Sequence, residues 1–167
     1  MRPTSDRARE ALFDILAHGR FADRPVFAEA RVLDAFAGTG AFGLEALSRG
    51  AAHASFIEKD RGVLTMLRSN IAALGEERNA AVLAADALHP PPAAAPVTLA
   101  FLDPPYNEDL AAPALVALAT ARWLAPEALV VVEVAARQKL APPPGFMVLE
   151  ERRYGAARLV FLRVAAS

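Results

Sequence analysis

The segment Arg31–Gly43 reads RVLDAFAGTGAFG and decides the fold. Its first part, Arg31–Phe36, is apolar enough to predict a short buried strand. Gly38 and Gly40 then form a turn, and Ala41–Arg49 predicts a helix. Glycines at such a turn let the backbone approach a ligand closely, and they leave the N–H groups of the helix facing it.

Strands and helices alternate outward from this segment. Further strands are predicted at Ala54–Glu58, Ala81–Ala85, Val97–Asp103 and Ala128–Val134. Their alternation with helices indicates a mostly parallel sheet covered on both faces. Phe146–Tyr154 and Ala157–Val164 are joined only by a turn at Gly155, which predicts an antiparallel hairpin. The expected fold is therefore α/β, a seven-stranded sheet in a single domain over residues 1–167.

The composition bounds the class of protein. The chain has 167 residues and a net charge of -1, so it suits one domain with a core and has no global basic field for nucleic acid. It has no cysteine, which excludes disulfides and fits a reducing compartment. The three histidines lie far apart, so no metal is expected. The start of the chain is polar, and no apolar run approaches the roughly 20 residues of a membrane span. A cytoplasmic protein is expected.

The glycine turn predicts a nucleotide-like ligand at the carboxyl end of the sheet. Gly38, Gly40 and Gly43 fit the pattern G-x-G-x-x-G, and Glu58 ends the next strand, where an acid would bind ribose hydroxyls. A dinucleotide-dependent oxidoreductase would satisfy these features. Asp34 favours another ligand, because a carboxylate just before the turn suits a cation such as an amino-acid ammonium. The order of strand, turn, helix, strand and acid argues against a turn without a ligand.

A second motif, Asp103-Pro104-Pro105-Tyr106, ends the predicted strand Val97–Asp103 on the same edge of the sheet. Prolines have a fixed φ and no N–H, so the Asp103 carboxylate and the Pro104 carbonyl form a pair of acceptors without a neighbouring donor. Two such acceptors would hold both hydrogens of a nucleobase amine, and the base would stack on Tyr106. Taken alone, the motif is also compatible with a rigid turn after a buried strand.

Both motifs resemble those of known proteins. The spacing D-x-F-x-G-x-G in Asp34–Gly40 resembles the S-adenosylmethionine site of class I methyltransferases, and Asp-Pro-Pro-Tyr resembles the motif of amino-methyltransferases. Arg2–Phe13, Val32–Ala51 and Phe56–Asp60 resemble the bacterial 16S ribosomal RNA guanine-N2 methyltransferases (the RsmD type). The resemblance runs nearly end to end, and Arg153-Tyr154-Gly155 resembles the last hairpin of that family.

The resemblance implies a Rossmann-like class I fold and a methyl transfer from S-adenosylmethionine to the N2 amine of one guanine. The implied partner is 16S ribosomal RNA, in the small ribosomal subunit or an assembly intermediate of it, and a monomer is expected. An adenine-specific DNA amino-methyltransferase remains an alternative, because it shares the second motif. A dinucleotide-dependent oxidoreductase and a non-catalytic RNA-binding module are less well supported.

The resemblance also implies roles for particular residues. It implies that Asp103, Pro104, Pro105 and Tyr106 hold the target nucleobase. It assigns cofactor binding to Thr4, Asp34, Ala35, Phe36, Ala37, Gly38, Thr39, Gly40, Glu58, Lys59, Asp86 and Ala87. Arg7 is expected to help Thr4 close the cofactor site, with a solvated helix face as the alternative interpretation. Asp86 would contact the adenine, although a turn aspartate is an equal interpretation.

Contacts to RNA phosphates are expected from basic side chains at both ends of the chain. The candidates are Arg2, Arg7, Arg152, Arg153 and Arg158, and an exposed, solvated face is the alternative interpretation of each. Family members usually carry a basic hairpin before the segment that begins at Arg2, and this chain is expected to lack it. Such a loss would weaken RNA binding with little change in base choice.

Overall fold

The structure, a computed structural model, describes residues 3–18, 21, 25–106 and 108–166, without the side chains of residues 3–5. The helices are α1 (Pro3–Ala17), α2 (Ala41–Ser48), α3 (Arg61–Ala73) and α4 (Ala111–Thr120). The strands are β1 (Arg31–Ala35), β2 (His53–Glu58), β3 (Ala80–Ala84), β4 (Val97–Leu102), β5 (Leu124–Ala135), β6 (Phe146–Tyr154) and β7 (Ala157–Val164). None of the helices in the described ranges is long and apolar enough to cross a membrane.

The strands form one seven-stranded sheet in the order β3-β2-β1-β4-β5-β7-β6. Strands β1 to β5 pair in parallel, whereas β7 pairs antiparallel with both β5 and β6. The predicted α/β fold with a C-terminal antiparallel hairpin is therefore confirmed. Since the strand order reverses between β1 and β4, a crevice is expected outside the carboxyl ends of these two strands. Both sequence motifs follow these strands.

Helices cover both faces of the sheet, and the face beneath the glycine turn is rich in aromatic rings. The rings of Phe42 in α2 and Phe101 in β4 stack with their centroids 4.6 Å apart. Phe13 of α1 packs on Phe42 at 5.4 Å, so α1 lies over the same part of the sheet. The opposite face packs Leu115 and Leu118 of α4 against the strands. Burial of these large side chains stabilises the sheet that positions the crevice.

Two of the three pattern glycines serve close packing. A Cβ on Gly43 would lie 2.4 Å from Cε2 of Phe56 in β2, so only glycine lets α2 approach the sheet this closely. A Cβ on Gly40 would lie 2.5 Å from Cδ1 of Leu67 in α3, and its φ of +87° also favours glycine. The turn and the start of α2 therefore pack closely against β2 and α3.

Strand β5 is longer than its apolar pattern predicts. It begins at Leu124 instead of Ala128, and the added residues include Pro126 and a Glu127 with φ of 64°. The register between β4 and β5 shifts between Val97 and Leu99, which accommodates this irregular start. Proline and a left-handed residue look like a turn in the sequence, which is why the prediction was too short.

Candidate active site

Two cavities share walls at the carboxyl ends of β1 and β4. The smaller cavity, of about 240 Å³, is lined by Glu58, Lys59, Asp86 and other residues of four neighbouring strand ends. The larger one, of about 450 Å³, extends beneath α1. Phe36 and Asp103 line both, so the two cavities form one site with two lobes. The topological switch point therefore carries a concave site of the kind that holds a nucleotide-like ligand.

Most of the predicted site residues line these two lobes. They are Asp34, Phe36, Ala37, Gly38, Thr39, Glu58, Lys59, Asp86, Ala87, Asp103, Pro104 and Pro105. Ala35 and Gly40 are buried beneath the turn and line neither lobe, and the half-buried Tyr106 is also absent from both linings. Arg2 and the side chain of Thr4 lie outside the residues that the structure describes.

The glycine turn is fixed to the end of β2 by one carboxylate. The Gly38 N–H donates to Oε1 of Glu58 at 2.8 Å, and the Asp60 N–H donates to its Oε2 at 3.0 Å. Gly38 itself has φ of +57°, and nothing lies within 4 Å of the place where its Cβ would be. Phe36 has φ of 59°, which is uncommon for a bulky residue and costs about 1–3 kcal/mol. Such strain concentrates where a backbone must face a ligand.

Asp34 is a buried carboxylate with one fixed partner. Its side chain is 2% exposed, and its Oδ2 accepts a hydrogen bond from the Gly43 N–H at 3.0 Å. Burial raises the pKa of Asp34 well above its ordinary value, and the neighbouring carboxylates of Asp103 and Glu58 add to the rise. A positive charge bound in the larger lobe would offset this repulsion and favour the ionised form of Asp34.

Asp86 is a turn aspartate that also lines the site. Its Oδ1 accepts a hydrogen bond from the Leu88 N–H at 2.9 Å, as a turn aspartate does. It nevertheless lines the smaller lobe, with its Oδ2 at 3.6 Å from Nδ1 of His89. The turn bond thus fixes the carboxyl group at the wall of the site.

The second motif is anchored by a residue that the sequence did not indicate. The Tyr106 hydroxyl donates to Oε2 of Glu133 at 2.9 Å. Glu133 lies on β5, is 2% exposed and lines the larger lobe. The signal that could have found it is an acid in the otherwise apolar run Leu129–Val134. The hydrogen bond therefore connects Tyr106, which follows β4, to the neighbouring strand β5.

Helix α1 presents Asp6 and Arg9 to the larger lobe, where Arg9 Nη2 and Asp6 Oδ1 are 3.3 Å apart. Arg7, predicted to help close the cofactor site and to contact RNA, is exposed and lines neither lobe. Residues three apart in a helix share a face, which explains why Asp6 and Arg9 meet the lobe together. The three-residue spacing of Asp6 and Arg9 predicts that they share a face of α1. It does not predict that this face lines the site.

The hairpin arginines differ in their partners. Arg152 pairs with Glu150, and Arg158 pairs with Glu151 and donates to the Gln138 carbonyl. Arg153 is exposed, and its Nε donates to the Gly155 carbonyl at 3.1 Å. In the part of the chain that the structure describes, acidic, histidine and cysteine side chains form no group that could hold a metal ion.

Comparison with known proteins places this site in a family. A family model described as Conserved hypothetical protein 95 matches residues 1–163. Ribosomal RNA small subunit methyltransferase D of Escherichia coli K12 is 44% identical over 134 residues, which are 80% of this chain but only 64% of that protein. The protein of the same name from Haemophilus influenzae is 35% identical over 159 residues, covering 93% of this chain and 79% of that one.

The fold is likewise shared with a solved structure. The structure of yhhF from Escherichia coli has a TM-score of 0.84 and 37% sequence identity, and the match covers 100% of this chain and 89% of that one. Together with the strand order, this likeness identifies the class I methyltransferase fold that the resemblance implied. The chain belongs to the family of ribosomal RNA small subunit methyltransferase D.

Proposed function

We propose that the chain is one catalytic domain that transfers a methyl group from S-adenosylmethionine to the N2 amine of a guanine in 16S ribosomal RNA. The observation that carries this proposal is the meeting of the glycine turn with Asp103-Pro104-Pro105 around one two-lobed site. Membership of the family supports the RNA substrate. The glycine turn and Glu58 would also suit a dinucleotide, but the carboxylates of Glu58 and Asp103 in the wall of the smaller lobe would repel its pyrophosphate.

The residues present fit the cofactor. The open space at Gly38 leaves room for a ligand against the turn, and the buried Asp34 carboxylate favours a positive charge nearby. Glu58 uses one hydrogen bond on each oxygen, so lone pairs remain for ribose hydroxyls. Asp86 lines the smaller lobe with a carboxyl group that the adenine amine could meet. When bound, S-adenosylmethionine supplies a methyl group already activated by a sulfonium charge.

The task of the second motif is alignment. Asp103 and the Pro104 carbonyl accept the two N–H groups of the amine, and their fixed backbone turns the nitrogen lone pair toward the site. Pre-positioned acceptors cost no reorganisation during the reaction. The Asp103 carboxylate also stabilises the positive charge that develops on the nitrogen, and it can accept the proton that the nitrogen then loses.

The proposal is tested with labelled S-adenosylmethionine and three acceptors: undermethylated small ribosomal subunits, free 16S ribosomal RNA and DNA. Analysis of the nucleosides should yield N2-methylguanosine from one of the RNA acceptors. Methylated adenine from DNA would favour the alternative substrate. Binding of the cofactor without transfer to any acceptor would argue against the proposed reaction.

The hydrogen bond between Tyr106 and Glu133 gives a prediction about the motif. We expect Tyr106→Phe and Glu133→Ala each to lower the rate of transfer about tenfold, since hydrogen bonds to charged groups contribute about 1.5–3 kcal/mol. Because both changes remove the same bond, the double variant should be little slower than either single one. Tyr106→Ala should be slower than Tyr106→Phe, because base stacking contributes about 1–3 kcal/mol. Single-turnover rates provide the measurement.

Glu133→Gln is the matched control for this cycle. Glutamine keeps an oxygen that can accept from the Tyr106 hydroxyl, so most of the rate should be retained. If the losses of Tyr106→Phe and Glu133→Ala instead multiply in the double variant, the two side chains act independently. The anchoring role of Glu133 would then be wrong.

The raised pKa of Asp34 gives a prediction about stability. The folded chain binds the proton of the Asp34 carboxyl more tightly than the unfolded chain does. The stability that this proton contributes is therefore lost as the pH rises from the ordinary pKa of an aspartate through the raised pKa of Asp34. Asparagine carries no charge at any pH, so Asp34→Asn avoids this loss of stability. Its side-chain oxygen can still accept from the Gly43 N–H. The melting temperature of the ligand-free variant at neutral pH should therefore rise, by about 2–4 °C per kcal/mol gained.

The same variant should bind S-adenosylmethionine more weakly, because the attraction for a positive charge is lost. In the unmodified chain, the affinity should fall as pH is lowered through the raised pKa of Asp34, whereas Asp34→Asn should flatten this dependence. Titration calorimetry over a pH series measures both effects. A variant with lower stability and unchanged affinity would contradict the assignment of Asp34 to the cofactor.

A further inference from the structure

The C-terminal part of the chain, residues 122–167, contains more basic than acidic side chains, and their positions differ. Arg122 lies between α4 and β5, before the amino end of that strand. Arg163 pairs with Leu129 near the same end and donates to the Glu127 carbonyl at 3.2 Å. Both therefore lie at the edge of the sheet opposite the candidate active site. They therefore lie far from a nucleotide bound beside Asp103.

Two further arginines lie nearer the site but are paired. Arg152 pairs with Glu150 and Arg158 with Glu151, so each charge is offset by a carboxylate of the same hairpin. Such pairs compete with a phosphate for the guanidinium. These two predicted RNA contacts are thus less available than the sequence suggested.

Three basic side chains remain, Arg137, Lys139 and Arg153, and we call them the rim patch. All three are exposed, and none forms an ion pair with a carboxylate of residues 25–106 or 108–166. Arg137 and Lys139 follow the carboxyl end of β5, where Ala135 pairs with Ala157. Arg153 lies at the same end of the sheet but two strands away, on β6, where it pairs with Arg158 of β7. This is the edge of the sheet on which Asp103 lies.

The loop that carries Arg137 and Lys139 is fixed on both sides by Gln138. The Gln138 amide donates to Oδ1 of Asp109 at 2.9 Å, which joins the loop to the segment after Tyr106. The Gln138 carbonyl accepts from Arg158, which joins it to the hairpin. The patch is therefore held in place relative to the Asp-Pro-Pro-Tyr motif.

We propose that the rim patch binds the phosphate backbone of the RNA next to the target nucleotide, which rests on the proposed function. Exposed lysine and arginine are the side chains that phosphates recruit, and a net charge of -1 leaves RNA affinity to local patches. Glu108 and Asp109 are also exposed beside the motif, and they would repel phosphate, so the cations of the rim patch are needed to offset them. Arg137 and Lys139 add to Arg153 as RNA contacts.

The test compares two triple variants of equal charge change. Arg137→Gln/Lys139→Gln/Arg153→Gln removes the patch, and Arg68→Gln/Arg78→Gln/Arg122→Gln removes three exposed arginines elsewhere. For the patch variant, the Kd for a 16S ribosomal RNA fragment should rise at least tenfold. Its slope of log K against log salt should become shallower by about 2, since each phosphate contact on a single strand contributes about 0.7. The cofactor Kd should not change.

The control variant should keep most of the RNA affinity and slope. Equal losses in both variants would overturn the proposal, because they would show a general charge effect. Binding is measured without turnover, so the result does not depend on the reaction. If the unmodified chain binds RNA through the patch but methylates no guanine, the proposed function fails while the patch stands.

Discussion

Asp103→Ala is expected to lower the single-turnover rate of methyl transfer by about 10²–10³-fold while leaving the affinity for S-adenosylmethionine nearly unchanged. Removing one pre-positioned polar group from a reacting centre has effects of this size in other enzymes. Asp103 follows β4 and lines both lobes, so its loss acts where the amine would meet the methyl group. Its carboxylate also raises the pKa of Asp34, so its removal would leave Asp34 more readily ionised and would not weaken the binding of a cationic cofactor through Asp34.

Two further variants separate the roles of Asp103. Asp103→Asn keeps an acceptor for the amine but loses the charge, so its rate should fall between those of the unmodified chain and Asp103→Ala. Asp14→Ala removes an exposed acid of α1 that does not line the site, and it should behave like the unmodified chain. Loss of cofactor binding in Asp103→Ala would instead place this carboxylate in the cofactor site.

The parts of the molecule that depend on local pattern could be predicted from the sequence. The strand before Gly38 and the hairpin around Gly155 follow from short apolar runs and turn residues. The two motifs were expected on one edge because they follow parallel strands, and the two-lobed site has both in its walls. Periodicity and turn chemistry act over a few residues, which is why they can be read without a structure.

The parts that depend on distant partners could not be predicted. Tyr106 and Glu133 are 27 residues apart, and only the pairing of β4 with β5 brings them together. The pairing of Arg158 with Glu151 depends on the hairpin register, which shifts between Val148 and Glu150. A register shift of this kind redirects side chains without a clear sequence signal. The carboxylate partner of Arg158 therefore could not be predicted from the sequence.

The third glycine of the pattern shows that a correct pattern can have a different physical reason at each position. Gly43 is required by the ring of Phe56, whereas Gly38 has no neighbour that a Cβ would meet. Packing therefore explains Gly43, and a backbone φ of +57° together with an open lobe explains Gly38. Only at Gly38 do we expect a substitution to affect ligand binding separately from stability.

Gly38→Val is accordingly expected to abolish measurable binding of S-adenosylmethionine, and Gly75→Val is expected to leave it unchanged. Gly38 and Gly75 have φ of +57° and +67°, and neither has an atom within 4 Å of its Cβ position. A left-handed conformation costs a side chain roughly 1–2 kcal/mol at either place. Both variants should therefore lose similar stability in a denaturant titration.

The difference between the two glycines lies in what the new side chain would occupy. Gly38 lines the larger lobe, so the valine methyl groups would take up space beside the turn. Gly75 is exposed after the end of α3 and lines neither lobe, so its valine would extend into solvent. Because the backbone strain is matched, a loss of affinity in Gly38→Val alone must come from the occupied lobe. Equal affinities in the two variants would remove the glycine turn from the cofactor site, whatever the melting temperatures show.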